Sequence, residues 1–412
     1  MHLRSNCSME EWKEYKLEDI GKITTGKTPK AAIKEYFDGN ILFVTPADIN
    51  TPYKYVSKTA RYLSEKGLNS ISSNSIEKGS ICVSCIGNIG YVGIVNMKCA
   101  SNQQINSITV NKEHDRDFVY YAIKNLWPFF KNYEGQSTTL SILNKGQFSK
   151  IVIKAPQKDI QQRIAFILSS LDDKIELNRK INANLEAQAQ ALFKSWFVDF
   201  EPFRDGEFVE SELGRIPKGW KVVSLDKIAE ISKSSINPQK YSELLFEHYS
   251  IPSFDDGLKP EKQLGEDIKS NKFVIANKMT LFSKLNPRIK RVWYVDKLAS
   301  NSICSTEFVP YKAKEDSKSS FVYGLINSQV FYDFVMSMVN GATGSHQRFH
   351  PEESMKFKIA YDADYVSKYC NLTSFILSQI LNYRDESRRL ASLRDTLLPR
   401  LMSGELKVNE VI

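Results

Sequence analysis

Two periodicities of apolar residues alternate along the chain and predict a protein of mixed strand and helix. Short apolar runs bounded by Gly, Asn and Ser predict strands at ILFVT (41–45), SICVSCI (80–86), YVGIVN (91–96) and KIVIKA (150–155). The stretch DFVYYAIKNLWPFFKNY, residues 117–133, has the spacing of a helix. Residues 212–365 carry the same mixture of short strands and turns, so each half of the chain begins with a β-rich region.

Each β-rich region is followed by a long helical pattern. Residues 159–197 contain neither Pro nor Gly, and apolar residues such as Ile164, Leu168 and Ile175 recur at three- or four-residue steps. Ile376, Ile380 and later residues repeat this pattern up to Gly404. A helix of nearly forty residues is about 58 Å long and exposes an apolar stripe that needs a partner. The stripe either packs on its own domain or pairs with the other long helix in antiparallel fashion.

The chain contains an internal repeat, which favours the antiparallel pairing. WKEYKLEDIGKIT from Trp12 aligns with WKVVSLDKIAEIS from Trp220. In the same order, ASNQQI (100–105) aligns with ASNSI (299–303), FVYYAI (118–123) with FVYGLI (321–326), GQSTT (135–139) with GATGS (341–345), and FILSSL (166–171) with FILSQI (375–380). One pair of similar segments could arise by chance, but a series of such pairs in the same order indicates one unit of about 200 residues that occurs twice.

The sequence therefore predicts an α+β fold with two similar α/β domains separated by two long antiparallel coiled-coil helices, related by an internal pseudo-two-fold repeat. The expected boundaries are a first domain over residues 10–157, a central spacer helix over 158–200, a linker over 201–219, a second domain over 220–365, and a C-terminal spacer helix over 366–406.

Composition limits the class of protein without deciding it. The 412 residues are 42% hydrophobic and 25% charged, which is typical of a soluble globular chain. Six irregularly spaced cysteines do not suggest a disulfide framework, and no apolar run is long enough for a membrane span. The N-terminal stretch MHLRSNCSMEEWKEY lacks the apolar region of a signal peptide, so we expect none. We expect a cytoplasmic protein with reduced thiols. A formal charge of +8 permits a polyanionic partner without requiring one.

One motif suggests nucleotide binding. Gly21–Thr28, GKITTGKT, has the spacing of a P-loop and raises the hypothesis of a nucleotide-binding enzyme. A P-loop needs a buried strand before it and a helix after it, whereas Pro29 follows here. The second copy reads AEISKSSIN at this place, without glycine. The motif therefore predicts an alternative function, not the preferred one.

Other short motifs are weaker. Cys82 and Cys85 form a CxxC pair, but zinc needs four ligands and no second pair lies at a suitable spacing, so two half-buried thiols are the better interpretation. GNIGYVG, from Gly87, fits a hairpin turn better than a dinucleotide loop, and His346 and His350 are expected in loop contacts. We find no catalytic constellation and expect no bound metal.

Basic loops supply the positive indication of function. FSKLNPRIKRVWYVDK from Phe282 and GKITTGKTPKAAIK from Gly21 combine Lys and Arg with few acidic residues. Such loops suit phosphate contacts, and neighbouring Asn and Gln suit base edges. A solvated basic face is the alternative for either loop alone.

The stretch QQRIAFILSSLDDKIELNRKINANLEAQAQALFKSWFVDFEPFR, followed by SELGRIPKGW, resembles the central conserved region of Type I restriction-modification specificity (S) subunits. The resemblance extends over nearly the whole chain, including the LRDTLLPRLMSGEL tail, although the second long helix lacks the LDDKIELN sequence. It implies two target recognition domains, 10–157 and 220–365, that each read one half of a bipartite, asymmetric DNA sequence while the helices set the gap.

The resemblance also implies the partners. We expect double-stranded DNA, two methyltransferase (M) subunits docked on the helices, and restriction (R) subunits. It implies no cofactor in this chain, because S-adenosylmethionine, ATP and Mg would be used by the partner subunits. A helical scaffold without a nucleic-acid role remains a third hypothesis.

Candidate contact residues are loop residues and exposed helix positions. The expected DNA contacts of the first domain are Lys22, Lys27, Thr45, Asn88, Asn102, Gln103, Gln104, Ser137, Thr138 and Thr139. Those of the second domain are Ser253, Lys284, Arg288, Lys290, Arg291, Asn301, Ser345, His346, Gln347 and Arg348. The expected partner contacts are Asp172, Asp173, Glu176, Arg179 and Trp196.

Overall fold

The computed structural model of the chain describes residues 12–51, 53–135, 141–339 and 347–408. Contacts divide the chain into two compact units, Met1–Leu177 with Glu386–Ile412, and Asn178–Asp385. Two helices of forty residues, α7 (Lys158–Phe197) and α13 (Ala363–Met402), each contribute one part to each unit. The long helix expected over residues 159–197 is thus confirmed.

Within the described residues, the first unit has ten strands and six shorter helices besides the long ones. The strands are β1 (Lys13–Lys16), β2 (Gly21–Thr25), β3 (Phe37–Val44), β4 (Tyr55–Val56), β5 (Tyr62–Leu63), β6 (Ile81–Ser84), β7 (Val92–Val95), β8 (Ala100–Ser101), β9 (Ile105–Val110) and β10 (Val152–Ala155). The shorter helices are α1 (Leu17–Ile20), α2 (Pro46–Ile49), α3 (Glu65–Ser70), α4 (Arg116–Asn125), α5 (Trp127–Gly135) and α6 (Lys145–Ser149).

In its described residues the second unit has thirteen strands, the first two of which form a hairpin at its start, and five shorter helices. Its strands are β11 (Phe208–Ser211), β12 (Gly214–Pro217), β13 (Lys221–Ser224), β14 (Ala229–Ile231), β15 (Ser235–Ile236), β16 (Leu245–Tyr249), β17 (Glu261–Leu264), β18 (Lys272–Val274), β19 (Met279–Ser283), β20 (Val292–Val295), β21 (Ser302–Cys304), β22 (Phe308–Ala313) and β23 (Lys358–Tyr361). Its shorter helices are α8 (Leu225–Ile228), α9 (Ile251–Asp255), α10 (Ser319–Ile326), α11 (Gln329–Ser337) and α12 (Pro351–Ser354).

The sheets confirm the internal repeat. The first unit has the strand orders β2-β9-β6-β7-β4 and β5-β3-β8, and the second has β14-β22-β19-β20 and β15-β18-β21-β16-β17. We call the strands and short helices of each unit its module. In both units an antiparallel pair of four-residue strands, β1 with β10 and β13 with β23, joins the start of the module to the strand before the long helix. One parallel pair is also shared, with Phe43 opposite Ala100 and Glu247 opposite Ser302.

Both long helices pack on the β-rich module of each unit. In the first unit Ile164 and Leu168 of α7 and Leu401 of α13 belong to the same core as Phe118. In the second unit the Phe197 and Phe321 rings lie 4.9 Å apart within a core that also contains Tyr369 of α13. The helices therefore use part of their apolar surface on their own modules.

The helices also pair with each other, and the pairing is antiparallel. In the second unit Asn182 donates to the carbonyl of Ile380 at 3.2 Å, and the Tyr369 hydroxyl donates to the carbonyl of Ala189 at 3.3 Å. Residue numbers fall along α13 as they rise along α7. The predicted antiparallel arrangement is confirmed, together with the packing on each module that the sequence left as its alternative.

One predicted helix is interrupted. The single helix expected over 117–133 is divided into α4 and α5, which meet at Leu126. Pro128 is the second residue of α5. A proline inside a continuous helix would lack the amide hydrogen for a helical bond, and its ring would clash with the preceding turn, so the helix is interrupted before it. No helix in the described ranges combines the length and the apolar character that a membrane crossing requires.

Candidate nucleic-acid interface

Three segments meet in the first unit where strands β6 and β8 end. The Cys85 amide donates to the carbonyl of Gln104 at 2.7 Å, and the Gly87 amide donates to the carbonyl of Ser141 at 3.2 Å. Ile86 forms an antiparallel bridge with Ile142 between these two bonds. We call residues 85–88, 102–104 and 141–142, together with 25–28, the first loop cluster.

Polar side chains of the first loop cluster hold one another. Asn102 donates from Nδ2 to Gln104 Oε1 at 2.8 Å and accepts from the Gln104 amide at 3.1 Å. The Thr28 hydroxyl donates to Gln103 Oε1 at 2.7 Å, which places the 25–28 segment beside Gln103. Lys27 and Gln103 are exposed. The cluster thus presents amides and a cation to solvent, the groups that contact base edges and phosphates.

Other expected contacts of the first domain lie in and around this cluster. Thr45 is next to it, since the Asn102 amide bonds the carbonyl of Val44, but Thr45 also caps helix α2 through Asp48. Asn88 is exposed on the loop that follows Cys85. Lys22 is exposed near the start of β2, opposite Thr109, and is not part of the cluster. Ser137, Thr138 and Thr139 lie outside the described residues.

The second unit has the same backbone frame. The Lys284 amide donates to the carbonyl of Glu307 at 2.8 Å, the Asn286 amide donates to the carbonyl of Gln347 at 2.9 Å, and Leu285 bridges Arg348. We call residues 284–286, 305–307 and 347–348 the second loop cluster. Each of its segments has a counterpart in the first loop cluster.

This correspondence corrects one part of the sequence alignment. The Ser305 amide donates to the carbonyl of Tyr249, at the end of β16, as the Asn102 amide does to the carbonyl at the end of β3. Asn102 therefore corresponds to Ser305, and the alignment of ASNQQI with ASNSI is wrong by four residues. Asn301 precedes β21, donates to the carbonyl of Leu245 at 3.4 Å, and lies at the opposite end of that strand from Ser305.

Two arginines of the second unit form bidentate ion pairs. Arg348 donates from Nε and Nη2 to the two carboxylate oxygens of Glu307 at 3.1 and 3.0 Å. Arg291 donates in the same manner to Asp255 at 2.7 and 2.8 Å. Arg348 is exposed, whereas Arg291 is only 8% exposed. The expectation that Arg291 is available to contact DNA is therefore corrected, because it is buried and its charge is neutralised by Asp255.

The remaining candidates of the second domain differ in exposure. Arg288 is exposed and Lys284 is half-buried. Lys290 donates to the carbonyl of Asn327 at 2.6 Å, and burial lowers its pKa. Ser253 and Gln347 are buried, which corrects the expectation that they are open loop residues, and the Ser253 hydroxyl bonds that of Ser250 at the start of α9. Ser345 and His346 lie outside the described residues.

The expected partner contacts on α7 also differ from one another. Asp173 is exposed, Glu176 and Arg179 are half-buried, and half-buried Trp196 packs edge-on against Tyr369. Asp172 is 5% exposed and accepts from both Arg394 and the Tyr121 hydroxyl. Its expected exposure is wrong, because it lies on the helix face that packs inside the unit.

The segment Gly21–Thr28 does not have the geometry of a phosphate-binding loop. Its first five residues form β2, and no helix begins after Thr28 before the short 3-10 turn at Lys34. The Gly26 amide donates to the carbonyl of Ile105, and a Cβ at Gly26 would lie 2.0 Å from the Asn102 carbonyl oxygen. Gly26 is thus required for close packing against the loop that carries Gln103.

The CxxC pair is buried. Cys82 and Cys85 are both free thiols, and burial raises the pKa of Cys85 to about 12. Within the described ranges no group of three or more His, Cys, Asp or Glu side chains is placed to hold a metal ion. The interpretation of the pair as free thiols agrees with the structure, but both are fully buried and not half-buried as expected.

Sequence reasoning missed four residues that the geometry makes prominent. Glu307 and Ile142 occupy the two loop clusters, and their roles follow only from the backbone frame. Phe166 of α7 and Phe375 of α13 are 72% and 66% exposed. These two occupy matching places in FILSSL and FILSQI, two residues away from buried helix positions, so the repeat and the helical period together pointed to them.

Comparisons with known proteins relate the chain to one family. A family model described as the Type I restriction modification DNA specificity domain matches residues 9–187. The specificity subunit of the Type I restriction enzyme MjaIX from Methanocaldococcus jannaschii is 32% identical over 421 aligned positions, which cover 98% of this chain and 95% of that protein.

Two further relatives agree with this result. The HindI specificity subunit of Haemophilus influenzae is 33% identical over 175 residues, which are 41% of this chain and 38% of that protein. The crystal structure of the S subunit of a Type I restriction-modification system from M. genitalium matches with a TM-score of 0.54 and 17% identity, over 97% of this chain and 98% of that one. At this identity the structure shows that the fold is shared.

Proposed function

The chain belongs to the family of Type I restriction-modification DNA specificity proteins, and we propose that it reads a bipartite, asymmetric DNA sequence, one half with each module. The first loop cluster would face one half-site and the second loop cluster the other. The two long helices would set the number of base pairs between the halves.

One observation carries this proposal. The two loop clusters share a backbone frame, in which the Cys85–Gln104 bond corresponds to the Lys284–Glu307 bond. The side chains on that frame differ, with Gln104 and Ile142 in the first cluster where the second has Glu307 and Arg348. A repeated frame with different exposed groups suits two related half-sites of different sequence, because direct readout depends on the donors and acceptors presented to the groove.

We assign no catalytic step to this chain. Methyl transfer from S-adenosylmethionine would belong to two methyltransferase subunits, and ATP- and Mg-dependent cleavage to restriction subunits. Both sequence relatives described above are specificity subunits of Type I restriction enzymes, which supports this division of labour. Such a complex would work in the cytoplasm, where DNA, S-adenosylmethionine and ATP are available.

The long helices are the proposed docking surface for the methyltransferase subunits. Phe166 and Phe375 expose most of their rings at equivalent positions of the repeat. A large exposed aromatic side chain is an energetic centre of many interfaces once a partner covers it. Two equivalent aromatic positions support two copies of one partner.

The experiment is co-expression of the chain with its methyltransferase partner, followed by genome-wide mapping of methylated adenines. The proposal expects a two-part motif with a fixed gap, absent from cells that express the methyltransferase alone. The purified complex should also bind duplex DNA with an affinity that falls steeply as salt rises. An intact complex that produces no new methylation would overturn the proposal.

A further inference from the structure

Arg348 presents one edge of its guanidinium group to solvent while the other edge is held. Nε and Nη2 donate to Glu307, so these two hydrogen bonds occupy one edge of the planar guanidinium group. Among the described residues Glu307 is the only side chain that bonds this group, and the Arg348 side chain is 47% exposed against 27% for Glu307. One N–H group of Nη1 and the second N–H group of Nη2 are parallel donors on the open edge.

Both residues of this pair are fixed through their backbones. Glu307 donates its amide to the Ser305 hydroxyl and accepts the Lys284 amide, while Arg348 bridges Leu285 one residue further on. The segment 284–286 therefore aligns the two partners side by side. Groups held in this way lose little conformational entropy when they bind, and they bind in one orientation.

Two DNA groups accept a pair of parallel N–H donors, namely a phosphate and the O6/N7 edge of guanine. The charge of Glu307 favours the guanine edge over the phosphate as the partner of Arg348. Its carboxylate cancels the charge of Arg348 and repels a phosphate, whereas the neutral edge of a base is not repelled. The exposed and less constrained cation at Arg288 is better suited to a phosphate.

We propose that Arg348 reads a guanine in the half-site of the second module and that Glu307 is the residue that positions it; this inference rests on the proposed function. The first module has no such pair, since Ile142 and Gln104 occupy the corresponding places. Ile142 is 51% exposed and would suit a thymine methyl group, beside amides that suit adenine. The two half-sites should therefore differ at the base pair that faces this position.

The test uses the complete complex with methyltransferase subunits and the target mapped for the wild-type chain. Methylation rates are measured on duplexes in which each guanine of the second half-site is replaced in turn by 7-deazaguanine, which lacks the N7 acceptor, or by adenine. Wild type should lose roughly 10- to 100-fold in rate at one position, the range expected for a bidentate contact. Arg348→Ala should be slow on the native target and insensitive to replacement at that position only.

Glu307→Gln separates positioning from folding. It should reduce the discrimination at the same base pair and leave the other positions unchanged. Arg215→Ala is the matched control, since Arg215 is also an exposed arginine near a glutamate, Glu210, but lies on the β11–β12 hairpin. Ratios of rates on two duplexes are taken from one preparation, so a partly unfolded variant still reports its specificity.

Each outcome has one meaning. An Arg348→Ala complex that slows equally on all duplexes and shows a smaller salt slope would identify a phosphate contact and overturn the inference. Discrimination that is unchanged in Arg348→Ala would also overturn it, while the bipartite motif of wild type would leave the proposed function standing. Absence of a bipartite motif in wild type would instead defeat the proposed function itself.

Discussion

Asp172 of α7 and Arg394 of α13 form an ion pair inside the first unit, where both side chains are less than a tenth exposed. The Tyr121 hydroxyl of α4 donates to the second oxygen of the same carboxylate at 2.5 Å. Burial and the charge of Asp172 raise the pKa of Tyr121, so the hydroxyl stays a donor. The three residues join both long helices to the first module at one point.

Removal of one partner should be costly here. Arg394→Met leaves a buried carboxylate without its cation, and we expect the free energy of unfolding to fall by about 3–5 kcal/mol. Replacement of all three groups by apolar ones, Asp172→Leu with Arg394→Met and Tyr121→Phe, should recover most of that loss. Urea unfolding of the purified chain measures both. Glu35→Gln, which breaks the exposed pair with Lys66, is the control and should change the unfolding curve far less. A triple variant as unstable as Arg394→Met would contradict the argument.

Gly26 should be essential to the first loop cluster. Gly26→Ala would place its Cβ 2.0 Å from the Asn102 carbonyl oxygen, so the 102–104 loop has to shift. We expect a loss of about 1–3 kcal/mol in stability and weaker discrimination in the first half-site, with the second half-site still read. Gly135→Ala is the matched control, because its Cβ would have no neighbour within 4 Å. Equal loss at both half-sites, measured by methylation of variant duplexes, would count against this assignment.

The fold follows from features that the sequence displays directly. The apolar stripe through Ile164 and Leu168 predicts α7, and Pro128 marks the break between α4 and α5 that the helical spacing alone conceals. The repeat predicts the shared sheet topology, since each copy must bury the same apolar faces.

The candidate site is less readable, because it depends on residues that are distant in sequence. Nothing local indicates that Asp255 neutralises Arg291 or that Glu307 holds Arg348. The shared Ala-Ser-Asn sequence wrongly aligned Asn301 with Asn102. The residue that corresponds to Asn102 is Ser305, because its amide makes the equivalent hydrogen bond to the end of β16. The spacing of apolar residues predicts which helix and strand positions are buried. Loop geometry depends on backbone hydrogen bonds to distant residues, which the spacing does not predict.

His248 should make the second unit sensitive to acid. Burial lowers its pKa below the ordinary value of 6.5, an effect that Lys272 reinforces and that Gln263 and Glu261 oppose. Nδ1 bonds Gln263 at 2.8 Å, and Nε2 is buried with no hydrogen-bond partner among the described residues. The unfolded chain therefore binds a proton more readily than the folded one, so stability is lost as the pH falls below about 6.5.

The measurement is urea unfolding at pH 7.5 and pH 5.5. His248→Gln should reduce the loss of stability between these two values, by about 1.4 kcal/mol for each pH unit that lies below the unfolded pKa, above the folded pKa and within this interval. His350→Gln, which also removes a histidine but at an exposed position, is the control. A pH dependence that is the same in His248→Gln as in wild type would show that other groups cause it.

Phe166 and Phe375 should each anchor one methyltransferase subunit. Both rings are mostly exposed, on helices whose other faces pack inside the two units. Replacement of either ring by Ser should therefore leave the free energy of unfolding nearly unchanged or slightly higher. Each single variant should weaken the binding of one partner copy, and the double variant should weaken both, because burial of such a ring contributes about 1.5–3 kcal/mol. Sedimentation of co-expressed complexes gives the number of bound copies at each concentration. Tyr241→Ser, at an aromatic residue that is 52% exposed and lies outside the long helices, is the matched control. Retention of two copies by the double variant at the wild-type affinity would place the docking surface elsewhere.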